Sequence, residues 1–224
     1  MRFYRTYCLR CGRICYGRLL CIKCQNNIIP LSLLNKKRCK KCSKPLEDYE
    51  EAFCDNCAGK NFYFEKNTSL YPYNDPNIKE IVRLFKFEFV REAGKTLASI
   101  LKKEVADYIN STFYDLITCV PVSQESLKER GFNPVAFILD RFNISYKNIL
   151  ARKSHIKRQS ELSSKERGKY IEGQFYFLNN TEVKGKTILL IDDIFTSGNT
   201  LNEISKVLIE NGVVRVNTLT FFRD

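Results

Sequence analysis

Two constellations in this 224-residue sequence carry chemistry. The first runs Ile188-Leu189-Leu190-Ile191-Asp192-Asp193-Ile194-Phe195-Thr196-Ser197-Gly198-Asn199-Thr200. It reads as an apolar strand that delivers two adjacent carboxylates at its carboxyl edge, followed by a loop of small polar residues that opens a helix. The first backbone N–H groups of a helix lack internal partners and the helix dipole is positive there, so such a loop is a ready anion site. Thr196, Ser197 and Thr200 add hydroxyl donors, Asn199 completes the loop, and Gly198 permits close backbone approach. The carboxylates of Asp192 and Asp193 would accept hydrogen bonds from vicinal hydroxyls. A ribose 5-phosphate suits that pairing, hydroxyls on the acids and phosphate in the loop.

The second constellation is Cys8-x2-Cys11, Cys21-x2-Cys24, Cys39-x2-Cys42 and Cys54-x2-Cys57. Two residues between ligands let a tight knuckle point both sulfurs at one ion, and two knuckles complete a tetrahedral thiolate shell. Sequential pairing predicts two similar four-thiolate units, an internal duplication of a zinc ribbon holding one or two structural zinc ions. Gly12, just after a ligand, and Ser43-Lys44-Pro45, just after Cys42, are turn residues that suit such knuckles. Too few residues lie between the knuckles for an apolar core, so metal must supply the folding energy. Cys15 and Cys119 are surplus and read as ordinary small residues.

Composition divides the chain at the same place. Residues 1–44 hold twelve Lys/Arg and no acid, equal to the formal net charge of +12 for the whole chain. We therefore expect a small module at 1–60 and a larger domain at 61–224. Arg10, Arg13, Arg18, Lys23, Lys36-Lys37-Arg38 and Lys40-Lys41 interleave with Phe3, Tyr4, Tyr7 and Tyr16. A nucleic-acid-binding face and a solvated face that relieves thiolate charge both fit this pattern. The longest apolar run is Val135–Leu139, far short of the roughly 20 residues that span a bilayer, and no secretory signal is visible. The expectation is a soluble, cytoplasmic protein without membrane insertion.

The larger domain must position the first constellation. Asp75-Pro76 marks a helix start, with Ile78, Ile81, Val82 and Phe85 on one face. A break near 87–90 precedes a second amphipathic stretch through Ala93, Leu97, Ile100, Leu101 and Val105. Leu116–Val120 reads as a buried strand, Asn133-Pro134 as a helix cap, and Thr187–Ile191 as a second buried strand. Thr200–Asn211 follows as a helix and Val213–Phe222 as a third strand. Alternation of this kind predicts an α/β fold, a parallel sheet with helices on both faces and ligands beyond the strands' carboxyl ends.

The stretch from Ile188 to Thr200 resembles the phosphoribosyl pyrophosphate (PRPP) signature of type I phosphoribosyltransferases. Val120-Pro121-Val122-Ser123 and Leu127-Lys128-Glu129-Arg130-Gly131-Phe132-Asn133 resemble the pyrophosphate loop and R-G-F-N run of the competence protein ComF family. Arg152-Lys153, Gln159, Leu162-Ser163, Glu166-Arg167 and Gly173-x-Phe175 are similar to that family's flexible loop, and Tyr71 with Leu84–Phe87 to its helix before the core. The cysteine module is similar to its double zinc ribbon. Tyr170 and Ser154-His155-Ile156-Lys157-Arg158 depart from the family pattern, and the sole histidine, His155, has no evident partner.

The resemblance implies roles. Asp192 and Asp193 would hold the ribose hydroxyls, and Thr196, Ser197, Gly198, Asn199 and Thr200 the 5-phosphate. Backbone at Val122 and Ser123, with Arg130, Gly131 and Gln159, would meet the rest of the ligand. Mg2+ would accompany PRPP, and Arg130 and Arg167 would stabilise the departing pyrophosphate. The activity implied is either phosphoribosyl transfer to an unidentified acceptor, non-catalytic binding of single-stranded DNA in natural transformation, or PRPP-responsive regulation. A helicase-like ATPase of the uptake machinery is the implied partner.

Overall fold

The computed structural model describes residues 5–153 and 171–224. Gln159 and Arg167, with Ser154–Arg158, Leu162-Ser163, Glu166, Tyr170, Phe3 and Tyr4, lie outside the described residues. The centre is a four-stranded sheet in the order β3-β8-β7-β4, with every neighbouring pair parallel. Its strands are β3 (Asn67–Pro72), β4 (Leu116–Cys119), β7 (Thr187–Phe195) and β8 (Arg215–Arg223). Alternation along β7 sorts the core. Leu189 and Ile191 pack with α2 (Pro76–Phe87), α3 (Arg91–Ser111) and α5 (Pro134–Arg141). Ile188 and Leu190 pack with α6 (Asn199–Glu210) and with the antiparallel hairpin of β5 (Leu150–Arg152) and β6 (Phe175–Phe177). Burial on both faces explains why β7 reads as one continuous apolar run.

The caps behave as their chemistry requires. Asp75 accepts from the backbone N–H groups of Asn77 and Ile78 at the start of α2, with Pro76 in the first turn. The expected break falls between Phe87 and Arg91, where Phe89 takes a left-handed φ of 57°. Two strand limits differ from expectation. β7 runs on through Asp192-Asp193 to Phe195, because its pairing with β8 continues to Phe195↔Arg223. The acids stand at the carboxyl end of the strand as expected, and the strand continues two residues beyond them. Tyr71 belongs to β3, not to a helix, and donates its hydroxyl to the Ile100 carbonyl at 3.0 Å.

The two four-cysteine units flank the sheet. The first begins with the hairpin of β1 (Arg5–Tyr7) and β2 (Ile14–Tyr16), and includes the short α1 (Ile22–Asn26). Cys8, Leu20, Cys24 and Ile28 join the core on the α3 side, where the Leu19 N–H donates to Thr96 Oγ1 at 2.9 Å. The second unit packs Cys39, Cys42, Leu46, Cys54 and Cys57 into the core on the α6 side. It is tied to β3 by Ser43 Oγ donating to the Asn67 carbonyl at 2.7 Å. Among the described residues no helix is long and apolar enough to cross a membrane.

Candidate functional site

The carboxyl ends of β4, β7 and β8 converge on one region, and the loop from Phe195 to Asn199 lies there. Gly198 is the N-cap of α6 with φ +80°. A Cβ at that position would sit 2.6 Å from Phe195 Cζ, so the loop needs glycine twice over, for its φ and for its contact with the ring beneath. A pocket of about 500 Å3 opens above, lined by Asp192, Thr196, Ser197, Gly198, Asn199 and Thr200, and also by Asn56, Cys57 and Lys60 of the second cysteine unit. The polar loop, the N-terminus of α6 and one lysine would suit an anion with hydroxyls close by.

The adjacent acids have different surroundings. Asp193 pairs with Lys86 of α2, Nζ to Oδ2 at 2.5 Å, both side chains mostly covered. Asp192 lies within the field of Arg152, whose guanidinium donates to Gln174 Oε1 at 3.0 and 3.2 Å and stacks 5.6 Å from the Phe175 ring. Burial and then the Asp193 charge push Asp192 up to about 7, while its bond from the Asp193 N–H, Lys86 and Arg152 oppose that rise. Part of Asp192's surface still meets solvent, which limits the rise.

The R-G-F-N run is an architectural piece. Arg130 ends α4 (Gln124–Arg130), and Gly131 closes that helix at φ 77°. Phe132 packs against Phe85 and Phe137 with centroids 5.0 and 5.7 Å apart. Asn133 caps α5 by accepting from the Val135 N–H at 2.9 Å, and donates from Nδ2 to the Val120 carbonyl, also at 2.9 Å. It thus holds the loop carrying Val122 and Ser123. Ser123 Oγ accepts from the Ser126 N–H as the cap of α4. Arg130 is half-buried, 5.8 Å over the Phe87 ring, with Nε unpartnered among the described residues. Burial pushes its guanidinium down and Asp193 pulls it back up. Such a partly desolvated cation with a spare donor suits an anionic ligand.

The structure thus gathers Asp192 and Thr196–Thr200 in one pocket, and sets Arg130 within the field of Asp193. Val122, Ser123 and Gly131 flank α4 and do not line that pocket. Lys86 and Lys60 were missed as site residues in the sequence. Lys86 lies in the Leu84–Phe87 stretch but only tertiary packing sets it against an acid, and Lys60 lay outside any motif.

Each cysteine unit brings four sulfurs together, Cys8, Cys11, Cys21 and Cys24 in one and Cys39, Cys42, Cys54 and Cys57 in the other, all within 4.8 Å of one another. Bonds of about 2.3 Å in a tetrahedron require sulfurs about 3.8 Å apart. The Cys11–Cys21 and Cys42–Cys54 separations are 3.8 and 3.6 Å, so both clusters fit zinc. The knuckles repeat one geometry: the Gly12 N–H donates to the Cys8 carbonyl and the Ser43 N–H to the Cys39 carbonyl, with Gly12 and Ser43 at φ 71° and 62°. Burial opposes ionisation of Cys39, but N–H donors from Cys54, Cys42 and Lys41 outweigh it and lower that thiol to about 7. Burial and the Cys42 charge push Cys54 up to about 11. A dication reverses that repulsion among the thiolates. Cys15 and Cys119 are buried outside both clusters.

The chain is similar to several known proteins. The phosphoribosyl transferase domain family matches residues 126–224. Competence protein F of Haemophilus influenzae is 28% identical over 229 residues, covering 96% of each chain. Competence protein ComFC of Streptococcus pneumoniae is 24% identical, covering 96% of this chain and 99% of its own. The DNA utilization protein YhgH of Escherichia coli is 25% identical over 81% of this chain and 82% of its own. Among solved structures, the allosteric regulatory enzyme of purine biosynthesis aligns with TM-score 0.36 and 23% identity, over 58% of this chain and 26% of that one. Paired cysteine clusters before a parallel sheet, the ordered motifs and relatives matched over nearly their whole length make this chain similar to the competence protein ComF family.

Proposed function

We propose that the chain binds PRPP or ribose 5-phosphate with Mg2+ at the β7–α6 loop and acts in DNA uptake during natural transformation, as the names of its relatives suggest. The pocket itself carries this reading: Thr196–Thr200 line a space of about 500 Å3 at a helix N-terminus, with Asp192 also in its lining. The backbone of Thr196–Thr200 and the hydroxyls of Thr196, Ser197 and Thr200 hold the 5-phosphate. Asp192 accepts from a ribose hydroxyl, and Asp193, paired with Lys86, accepts from its neighbour. Arg130 faces the pyrophosphate end. Magnesium, when bound with the ligand, would neutralise diphosphate charge through ligand oxygens and water, and Asp192 would be a carboxylate available to it. If pyrophosphate departs, positive charge grows at the sugar's C1, and Arg130 stabilises the leaving charge.

Metal in both cysteine clusters is part of this proposal, as is the division of the chain into a zinc module at 1–60 and a phosphoribosyltransferase-like domain at 61–224. A PRPP-dependent pyrophosphate-release screen with nucleobases, amines and single-stranded DNA as acceptors tests for catalysis. Release with one acceptor, lost in Asp193→Asn, establishes a transferase. Binding of PRPP by calorimetry without release with any acceptor leaves a ligand-binding accessory or regulator, and absence of binding removes the reading.

A second reading, single-stranded DNA binding, has its own support. A groove of about 740 Å3 between the first cysteine unit and α3 is lined by Arg18, Lys95, Lys102 and Arg141, with Tyr16 and Phe142 and no acidic residue. Cations for phosphates and rings for bases are what a single strand needs. Lys41, by contrast, spends its ammonium on the carbonyls of Phe64 and Glu65. Affinity for oligothymidine should fall steeply with salt and weaken in Arg18→Ala with Lys102→Ala. Binding unaffected by both changes would place DNA elsewhere.

A further inference from the structure

The pocket has a wall that the loop motif does not supply. Asn56, Cys57 and Lys60 close one side of it, all from the second cysteine unit. Arg223, at the end of β8, joins that unit to the loop. One terminal nitrogen donates to Cys42 Sγ at 3.6 Å, and the other donates to the Phe195 carbonyl at 3.1 Å and to the carbonyl of Asp224. The guanidinium also lies 5.0 Å from the centroid of the Phe195 ring. That ring is the surface on which Gly198 rests, with no room for a Cβ between them. The result is a continuous chain of contacts: Cys42 sulfur, Arg223, Phe195, Gly198. Arg223 is buried, 8% exposed, and its Nε has no partner among the described residues, so the guanidinium is held by these contacts and not by solvent.

We propose that the second thiolate centre is a working part of the ribose-phosphate pocket, with Arg223 as a positioning residue between Cys42 and the phosphate loop and Lys60 as a cation for the bound phosphate. This rests on the ribose-phosphate reading given above. The physical reason is the state of the Cys42 sulfur. As a metal-bound thiolate it is an anionic acceptor, and the bond from Arg223 is charge-assisted. Without metal nothing fixes the Cys42 sulfur among its three partner sulfurs, Arg223 loses a fixed anchor, and Phe195 loses the contact that presses it under Gly198. Groups bonded to metal ligands commonly alter metal affinity when changed. Coupling between two binding events is reciprocal, so a ligand in the pocket must also tighten the metal.

The test uses the full chain with cobalt(II) exchanged for zinc, and ribose 5-phosphate as the probe. Saturating ribose 5-phosphate should shift the thiolate–cobalt absorption bands. In the zinc form it should slow chelator capture of one metal equivalent by about 5-fold or more. Arg223→Lys keeps the charge but not the fork. It should still bind metal in both centres, bind ribose 5-phosphate about 10-fold more weakly, and show neither the band shift nor the slowed capture. Lys60→Gln, at an exposed position, should weaken ribose 5-phosphate binding several-fold, with ligand-free metal capture unchanged. Ribose 5-phosphate that binds by calorimetry yet leaves spectrum and capture rate untouched, or an Arg223→Lys chain equal to wild type, overturns the proposal. If ribose 5-phosphate does not bind at all, the functional reading fails separately. The Arg223–Cys42 link is then judged without ligand, where Arg223→Lys should release one metal equivalent about 10-fold faster and equal rates refute it.

Discussion

Lys86 of α2 sets its ammonium 2.5 Å from Asp193 on the end of β7, joining a helix before the core to the acid of the phosphate motif. Both side chains are mostly covered, at 18% and 22% exposure, so solvent screens the pair less than it would at the surface. Lys86→Met should destabilise the fold by about 1–3 kcal/mol, between the ranges for exposed and buried pairs. Asp193→Asn in the same chain should recover part of that loss, because a neutral amide does not strand a charge. A double-mutant cycle by urea unfolding measures the coupling, and strict additivity would mean that the two groups do not interact in solution.

Asp192 gives the site a pH dependence. Its folded pKa, pushed up to about 7 by burial and by Asp193, lies above the ordinary carboxylate value. Between roughly pH 4 and 7 the folded chain therefore holds a proton that the unfolded chain has released. Stability contributed by this group accordingly falls as pH rises through that window, and it is fully present only below it. Asp192→Asn should flatten that part of the stability profile. Ribose 5-phosphate affinity should move the other way in wild type, rising as Asp192 ionises and becomes an acceptor. Matching profiles for wild type and Asp192→Asn would show that the carboxyl titrates normally.

Gly198→Ala combines a left-handed backbone at φ +80° with a Cβ 2.6 Å from the Phe195 ring. The backbone cost alone is about 1–2 kcal/mol. Moving the ring should add to it and displace the loop N–H groups. Calorimetry should therefore show a larger loss in ribose 5-phosphate affinity than in folding stability. Gly131→Ala is the comparison: its φ is also positive, but no atom lies within 4 Å of the added Cβ, so only the backbone cost remains.

Metal content is a direct measurement. Two zinc ions per chain are expected from the two clusters. One ion would leave a cluster vacant, and none would end the ribbon interpretation. Chelation should unfold the regions around both units, because Leu20 and Ile28 on one side and Leu46 on the other pack against the sheet through them.

Much of this was legible in one dimension because it is local. Cysteine pairs two residues apart, Asp75 and Asn133 as caps, and an apolar run ending in acids each depend on neighbours a few positions away. β3 was not legible: Asn67, Ser69 and Thr220 bury hydroxyl and amide groups against one another, and the strand's polar sequence carries no alternation. The hairpin of β5 and β6 was missed too, its strands of three residues being too short for a period to register. The sequence alone determined the membership of the two cysteine clusters, the order of α2, α3, β4, α5, β7, α6 and β8, and the loop with its acids. Only the tertiary structure decided that the two cysteine units sit on opposite faces of the sheet. It also decided that Lys86 meets Asp193 and that Cys42 meets Arg223 across an |i−j| of 181 residues. Such pairings depend on how layers stack, and no local spacing encodes the stacking.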